Sequence, residues 1–218
     1  MKKCLIIGNG KAPEKKTILF LMKKGYDTII CADGGLHHVH KLKMIPHYII
    51  GDFDSVDKRL LESYRDKSNI IQIKRQDDTD IEKCLKYAVK QKFDEAVMLS
   101  VTGDRLDHSF CNLGIALKFH DKINVRVISE TSLLTVYEKQ VSFAAKKGEY
   151  ISLYAFDSKT KITSQGLKYP LRETQLPFGV RESTSNVAVK EEVKLNIKNG
   201  RIFVIRDFET MEKNDLFS

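Results

Sequence analysis

The 218-residue sequence has no tryptophan, few prolines, and four cysteines, Cys4, Cys31, Cys84 and Cys111, with no CxxC pair among them. Without closely spaced thiols there is no basis for a zinc site or a disulfide framework, so reduced core thiols in a cytoplasmic protein are expected. Long hydrophobic runs are missing as well. Two lysines near the N-terminus are followed by only four apolar residues, 4–7, too few for the apolar stretch of a signal peptide. No run approaches the roughly 20 residues of a membrane span, so no membrane partner is expected. The formal net charge is +8, yet no block of five or six like charges occurs. A nucleic-acid surface clusters its basic residues; here a scattered basic surface and a small anionic ligand are expected, with no nucleic-acid partner. A hydrophobic content of 42% argues against wholesale disorder and fits one large domain or two small ones.

What is present is a regular alternation. Strand-like runs at residues 4–7, 28–31, 48–50, 70–73, 96–99 and 125–128 are separated by helix-length intervals. Ile81, Cys84, Leu85, Ala88 and Val89 follow the spacing of one face of an amphipathic helix, and Leu106, Phe110, Leu113 and Leu117 do the same in the next interval. Such alternation predicts an α/β domain with a mainly parallel sheet, assigned to residues 1–133. After about residue 130 the texture changes without a Pro- or Gly-rich linker. Val193, Leu195 and Ile197 alternate with polar residues, and Asn199-Gly200 signals a type I′ hairpin before residues 201–206. Residues 141–144, 150–156 and 161–164 also look like short strands. An all-β sandwich domain is expected over 134–218.

Four loops following successive strands carry ligand-type residues. Asp52 and Asp54, in Gly51-Asp52-Phe53-Asp54-Ser55, would face the same way in an extended segment, roughly 6.5 Å apart. Two such charges repel by about 2.5 kcal/mol at an effective dielectric near 20, a cost that a metal or other cation removes. The alternative is an acidic turn in which Asp54 or Ser55 caps the next helix. Asp33-Gly34-Gly35 opens a helix and can present N–H groups to an anion, or Asp33 can simply cap it. In Gln76-Asp77-Asp78-Thr79-Asp80, Thr79 and Glu82 form a capping box, which leaves Asp77 without a structural duty; Lys83 could reach a phosphate. Arg105 opposes a helix dipole and so needs an anionic partner, either Asp107 or a phosphate. His108 is a weak general-base candidate. Gly8-Asn9-Gly10 matches neither a dinucleotide fingerprint nor a P-loop and is taken as a plain tight turn. Jointly the four loops describe an acidic, arginine-bearing rim suited to a metal–nucleotide site.

In order along the chain these motifs resemble the thiamine pyrophosphokinase family. Its pattern of Ala-Asp-Gly-Gly, Gly-Asp-x-Asp-Ser, Gln-Asp-x-Thr-Asp-x-x-Lys, Gly-Arg-x-Asp-His, Gly-Leu-Lys-Trp and Ser-Thr-Ser-Asn stands here at 32–35, 51–55, 76–83, 105–108, 166–169 and 183–186. The resemblance implies transfer of a pyrophosphoryl group from ATP to the hydroxyl of thiamine, giving thiamine diphosphate and AMP. It also implies Mg²⁺ and a homodimer with sites between subunits. By position, Asp52, Asp54, Asp77 and Asp80 inherit the catalytic roles, with Asp52, Asp54 and Asp80 as metal ligands. Asp33, Gly34, Gln76, Thr79, Lys83, Arg105 and Asp107 inherit contacts to ATP and its phosphates. Tyr169, Ser183, Thr184, Ser185 and Asn186 inherit the thiamine side. Tyr169 stands where the pattern has Trp, and Asp104 where it commonly has Gly; a tyrosine face still attracts a cationic ring, less strongly than Trp. The other readings to be tested are a pyrophosphokinase or nucleotide hydrolase acting on another substrate, and a non-enzymatic nucleic-acid-binding protein.

Overall fold

The β-branched and apolar runs of the first half become six strands: β1 (Lys3–Ile7), β2 (Thr28–Ala32), β3 (Tyr48–Gly51), β4 (Asn69–Gln72), β5 (Glu95–Leu99) and β6 (Asn124–Ile128). The computed structural model describes residues 1–74, 77–103 and 105–217. It divides into two compact units, Met1–Ser129 and Glu130–Ser218. In the first, every strand pairing is parallel and the order is β6-β5-β1-β2-β3-β4. Cys4 through Ile7 are all fully buried, the continuous burial of a strand covered on both faces. The chain starts mid-sheet, builds outward to β4, then returns to add β5 on the other side of β1. That reversal of strand order is where ligands bind in open α/β sheets.

The helices of this unit are α1 (Lys15–Lys23), α2 (Gly35–Lys41), α3 (Lys58–Glu62), α4 (Asp80–Lys90) and α5 (Leu106–Phe119). Thr79 caps α4 by accepting from the Glu82 N–H at 3.2 Å, and Ile81, Cys84, Leu85 and Ala88 are buried. The Glu82 carboxylate accepts from Lys118 of α5 at 2.6 Å, tying the two helices together. Helix α3 is capped by Asp57, which accepts from the Arg59 and Leu60 N–H groups at 2.8 and 2.9 Å; Asp54 and Ser55, the caps of the alternative reading, lie too early. Helix α5 packs a face shifted from the expected one, with Leu113 and Leu117 half-buried. It buries Asn112, Ile115, Ala116 and Phe119, whereas Leu106 and Phe110 are 78% and 66% exposed. The packed face includes a polar residue, the buried Asn112, whose Nδ2 donates to the Val101 carbonyl at 2.7 Å. Cys111 is likewise exposed, unlike the buried Cys4, Cys31 and Cys84.

The second unit is antiparallel: β7 (Ser132–Ala144), β8 (Tyr150–Ala155), β9 (Lys161–Gln165), β10 (Thr174–Gln175), β11 (Ser183–Val187) and β12 (Glu192–Asp207), closed by a short helix α6 (Phe208–Lys213). The Asn199-Gly200 signal does not produce a hairpin. Strand β12 runs straight through it, pairing with β7 on both sides of a register shift between Ile197 and Arg201. Asn199 takes a φ of 62°, and a Cβ on Gly200 would lie 1.9 Å from Thr160 Oγ1. The local geometry is that of a bulge. On its other edge β12 pairs with β9 before the bulge and with β8 after it. Ile151, Leu153, Ile162, Val193, Leu195, Ile202 and Val204 from these strands share one core. Beside it Arg206 forks onto buried Glu149 at 2.6 and 2.9 Å.

Candidate active site

A cavity of about 800 Å³ opens at the carboxyl ends of the parallel strands in the first unit. Its walls are the segments following β1, β2, β3, β4 and β5. Close backbone approach builds the wall between β1 and β5. The Gly8 and Gly10 N–H groups donate to the Leu99 and Ser100 carbonyls at 2.9 and 2.6 Å, and Lys11 N–H to Thr102 at 3.0 Å. A Cβ on Gly10 would lie 2.3 Å from the Thr102 carbonyl, and one on Gly35 2.1 Å from that of Ile7. Glycine is needed here because backbone meets backbone. The Gly8-Asn9-Gly10 turn is thus a wall of the cavity as well as a tight turn.

Three carboxylates converge on the floor. Asp33, Asp52 and Asp80, each arriving on a different βα connection, place one oxygen apiece within 4.8 Å of one another. Lys83, on the first turn of α4 and 2% exposed, reaches into them: its Nζ donates to Asp52 Oδ2 at 2.9 Å and to Asp80 Oδ1 at 2.7 Å. Burial pulls the Lys83 ammonium down, but the hydrogen bonds and charges of Asp80 and Asp52 outweigh it and the net shift is upward. The Lys83 hydrogen bond holds Asp52 below the ordinary carboxylate range. Burial and the nearby Asp52 and Asp54 charges raise Asp80 against the pull of Lys83. Asp33 has no lysine; burial, then the Asp80 charge, push its carboxyl up to about 6, opposed by Ser55. Its Oδ2 accepts from the Ser55 N–H at 3.3 Å, while its buried Oδ1 has no hydrogen-bond partner among the described residues.

Asp54 is not one of the three. Phe53 takes a φ of 68°, so the segment is not extended and Asp52 and Asp54 do not share a face. The Asp54 N–H turns back toward Asp52 Oδ1 at 3.4 Å, and its exposed carboxylate accepts from Ser55 Oγ at 2.9 Å. Gly34, Asp77 and Thr79 line the cavity, as do Arg105 and His108. The Arg105 guanidinium lies on Asp107, Nε to Oδ1 at 3.1 Å, with both side chains about two-thirds exposed; that pairing keeps Asp107 well below the carboxylate range. Asp107 is thus one of the two partners that the sequence left open for Arg105. Gln76 and Asp104 lie outside the described residues. Tyr169, Ser183, Thr184, Ser185 and Asn186 belong to the second unit, around β11. Tyr169 is 59% exposed and Asn186 is buried. Thr184 Oγ1 is 2.9 Å from Tyr154 OH, and Ser185 N–H donates to Ser152 Oγ at 3.0 Å.

Ser100 and Asn112 are among the lining residues that were not singled out by the sequence. Ser100, at a φ of 57° beyond β5, lines the cavity with a buried hydroxyl that has no hydrogen-bond partner among the described residues. Asn112 joins the wall from within a helix. The only prior signal for either was a polar residue beside an apolar run. Asp33, which the resemblance assigns to the nucleotide, stands as the third carboxylate of the floor.

The same division runs through comparisons with known proteins. Residues 21–128 match the family model for the thiamin pyrophosphokinase catalytic domain, and residues 135–202 that for the thiamin pyrophosphokinase vitamin B1 binding domain. Thiamin pyrophosphokinase 1 of Caenorhabditis elegans is 27% identical over 198 residues, covering 81% of this chain and 77% of that protein. Thiamine pyrophosphokinase of Bacillus subtilis is 25% identical over 201 residues, covering 88% of each. The crystal structure of a Bacillus subtilis thiamine pyrophosphokinase superposes with a TM-score of 0.80 at 22% identity, covering 94% of this chain and 99% of that one. With both domain models matched in order on the two units, the chain belongs to the thiamin pyrophosphokinase family.

Proposed function

We propose that the chain is a thiamine diphosphokinase, taking the pyrophosphoryl group of ATP onto the hydroxyl of thiamine and releasing AMP, the reaction of its family. The observation that carries the reading is the convergence of Asp33, Asp52, Asp80 and Lys83 at the strand-order reversal, inside the region matching the catalytic model. In this reading the first unit takes ATP and the second, matching the B1-binding model, takes thiamine. The floor suits Mg²⁺. All its donors are carboxylate oxygens, the preference of a hard cation, and the unpartnered Asp33 Oδ1 is a buried acceptor awaiting a partner. Asp33, Asp52 and Asp80 would hold the ion, with Asp54 at the rim. When bound, it neutralises phosphate charge and stabilises the leaving group.

The chain's own residues do the positioning. Arg105, exposed at the cavity edge, can exchange Asp107 for a phosphate group, which its guanidinium can also hold by two parallel hydrogen bonds. Lys83 keeps the carboxylates from repelling one another. The thiamine hydroxyl oxygen bonds to the β-phosphorus as the bond from that phosphorus to the bridging oxygen breaks, and AMP departs with that oxygen. One of the cavity aspartates, Asp77 among them, accepts the hydroxyl proton. Such transfers depend on alignment and charge neutralisation more than on covalent chemistry. A homodimer and a cytoplasmic location complete the proposal; the buried thiols agree with the latter, and among the described residues no helix is long and apolar enough to cross a membrane.

The test is direct. Folded protein with ATP, Mg²⁺ and thiamine is expected to yield AMP and thiamine diphosphate in equal amounts, and Asp52→Asn to lose the activity while melting as a folded protein. Absence of both products at saturating substrates overturns the reading. Light scattering checks the dimer.

A further inference from the structure

The segment Gly166-Leu167-Lys168-Tyr169 has no strand of its own, yet it is fastened closely to the end of β11. Val189 N–H donates to the Gly166 carbonyl at 2.8 Å, and Lys168 N–H to that of Val187, also at 2.8 Å. Leu167 bridges Ala188 in antiparallel fashion. One step further this backbone ladder stops. Strand β11 has a register irregularity against β8 between Ser183 and Asn186, and Ser185 adopts a φ of 52°.

At that point a side chain replaces the strand. Asn186 is 2% exposed. Its Oδ1 accepts from Tyr169 N–H at 3.1 Å and Val187 N–H at 2.9 Å; its Nδ2 donates to the Tyr169 carbonyl at 2.8 Å and to Ser183 Oγ at 3.2 Å. The amide grips both polar groups of the Tyr169 backbone at once. It cannot be reversed, because that would aim its two donors at two N–H groups. Beyond Tyr169, Pro170 limits the tyrosine backbone to extended conformations. Leu171 is then tied to Ser164 of β9 by bonds of 2.8 and 3.0 Å. Tyr169 is therefore a crest held at both feet with its ring left outside. Lys168 Nζ already lies 5.5 Å from the ring centroid, so the face is accessible to a cation.

We propose that Asn186 is a positioning residue for thiamine: it fixes the Tyr169 backbone so that the ring meets the cationic thiazolium or the pyrimidine, and it does not itself touch the substrate. Its amide valences are spent on the protein. This rests on the reading that Tyr169 serves thiamine, and the experiment separates the two. Thiamine KM, ATP KM and kcat are measured for the full-length wild type, Tyr169→Ala, Asn186→Ala and the double variant. Tyr169→Ala and Asn186→Ala are each expected to raise thiamine KM roughly tenfold with kcat and ATP KM nearly unchanged. The double variant is expected to be no worse than Tyr169→Ala alone, since a residue acting only through Tyr169 has nothing left to act on. Additive losses, or an Asn186→Ala enzyme with normal thiamine KM, overturn the proposal. A normal thiamine KM in Tyr169→Ala overturns the assignment of that ring to thiamine instead. If Asn186→Ala does not fold, Asn186→Asp serves, because it keeps the two accepted bonds. Its thiamine KM is expected to be high at pH 8 and to fall toward the wild-type value in acid, where the protonated carboxyl regains a donor for the Tyr169 carbonyl. A KM that does not change with pH relative to wild type overturns the proposal.

Discussion

Asp33→Asn tests the electrostatics of the cavity floor. Asp33 is 3% exposed with one oxygen lacking a hydrogen-bond partner, and burial together with the Asp80 charge lifts its carboxyl from 3.8 to about 6. A folded-state value above the unfolded one means that the native protein holds the proton more tightly. The sign follows: for this group stability is highest below about pH 4, falls as pH rises from about 4 to about 6, and is constant beyond. A shift of about two units corresponds to about 3 kcal/mol. An asparagine is neutral throughout and does not incur that loss. Between pH 4 and pH 8 in EDTA, the melting temperature of Asp33→Asn relative to wild type is therefore expected to rise by about 10 °C. Mg²⁺ at pH 8 is expected to narrow the gap by stabilising the wild type alone, and the variant is expected to be inactive, a gain in stability at the expense of a working site. A melting difference that is the same at both pH values would refute the reasoning, since it would mean that the Asp33 charge carries no penalty.

Lys83→Met leaves Asp52 and Asp80 without their buried cation; a loss of about 3–5 kcal/mol is expected in EDTA, partly recovered by Mg²⁺, read by denaturant unfolding. The orientation of α5 is checked by truncating two phenylalanines. Phe119→Ala, at a 2% exposed position, is expected to cost about 3–5 kcal/mol, whereas Phe110→Ala, at 66% exposure, changes stability by less than about 0.5 kcal/mol. Arg206→Met strands the fully buried Glu149 and is expected to cost about 3–5 kcal/mol, while pairing it with Glu149→Leu restores much of the loss in the same unfolding assay.

How far the sequence reached depends on whether a feature is local. The six parallel strands, the apolar face of α4 and the Thr79 cap follow from patterns a few residues long, and each lies within a residue or two of its expected place. Helix α5 shows where pattern stops deciding. Leu106, Phe110, Leu113 and Leu117 form a cleaner stripe than Asn112, Ile115, Ala116 and Phe119, yet the second stripe is the one fully buried, with Leu113 and Leu117 half-buried at its border. That face carries the Asn112 bond to Val101, just past β5, a contact that no periodicity encodes. The Asn199-Gly200 pair is the same lesson in a strand. Its preference for positive φ is met at Asn199, but β7 lies alongside β12 on both sides and keeps it going. The turn signal became a bulge that lets β12 exchange β9 for β8.

The acidic site was only half accessible for a related reason. Spacing joined Asp52 to Asp54 on the assumption of extended backbone, and the left-handed Phe53 separates them. The carboxylates that do converge are 19 and 28 residues apart in sequence, Asp33 to Asp52 and Asp52 to Asp80. They meet because parallel strands β2 and β3 are neighbours and α4 begins just past β4, so the grouping belongs to sheet order rather than to any motif. Gly51 is the hinge of this arrangement. A Cβ there would lie 2.8 Å from that of Asp33, so the glycine that ends β3 is also what admits the third carboxylate. The stretch that looked like a two-aspartate site therefore contributes one ligand-type oxygen from Asp52 and, through Gly51, the room for a second from Asp33.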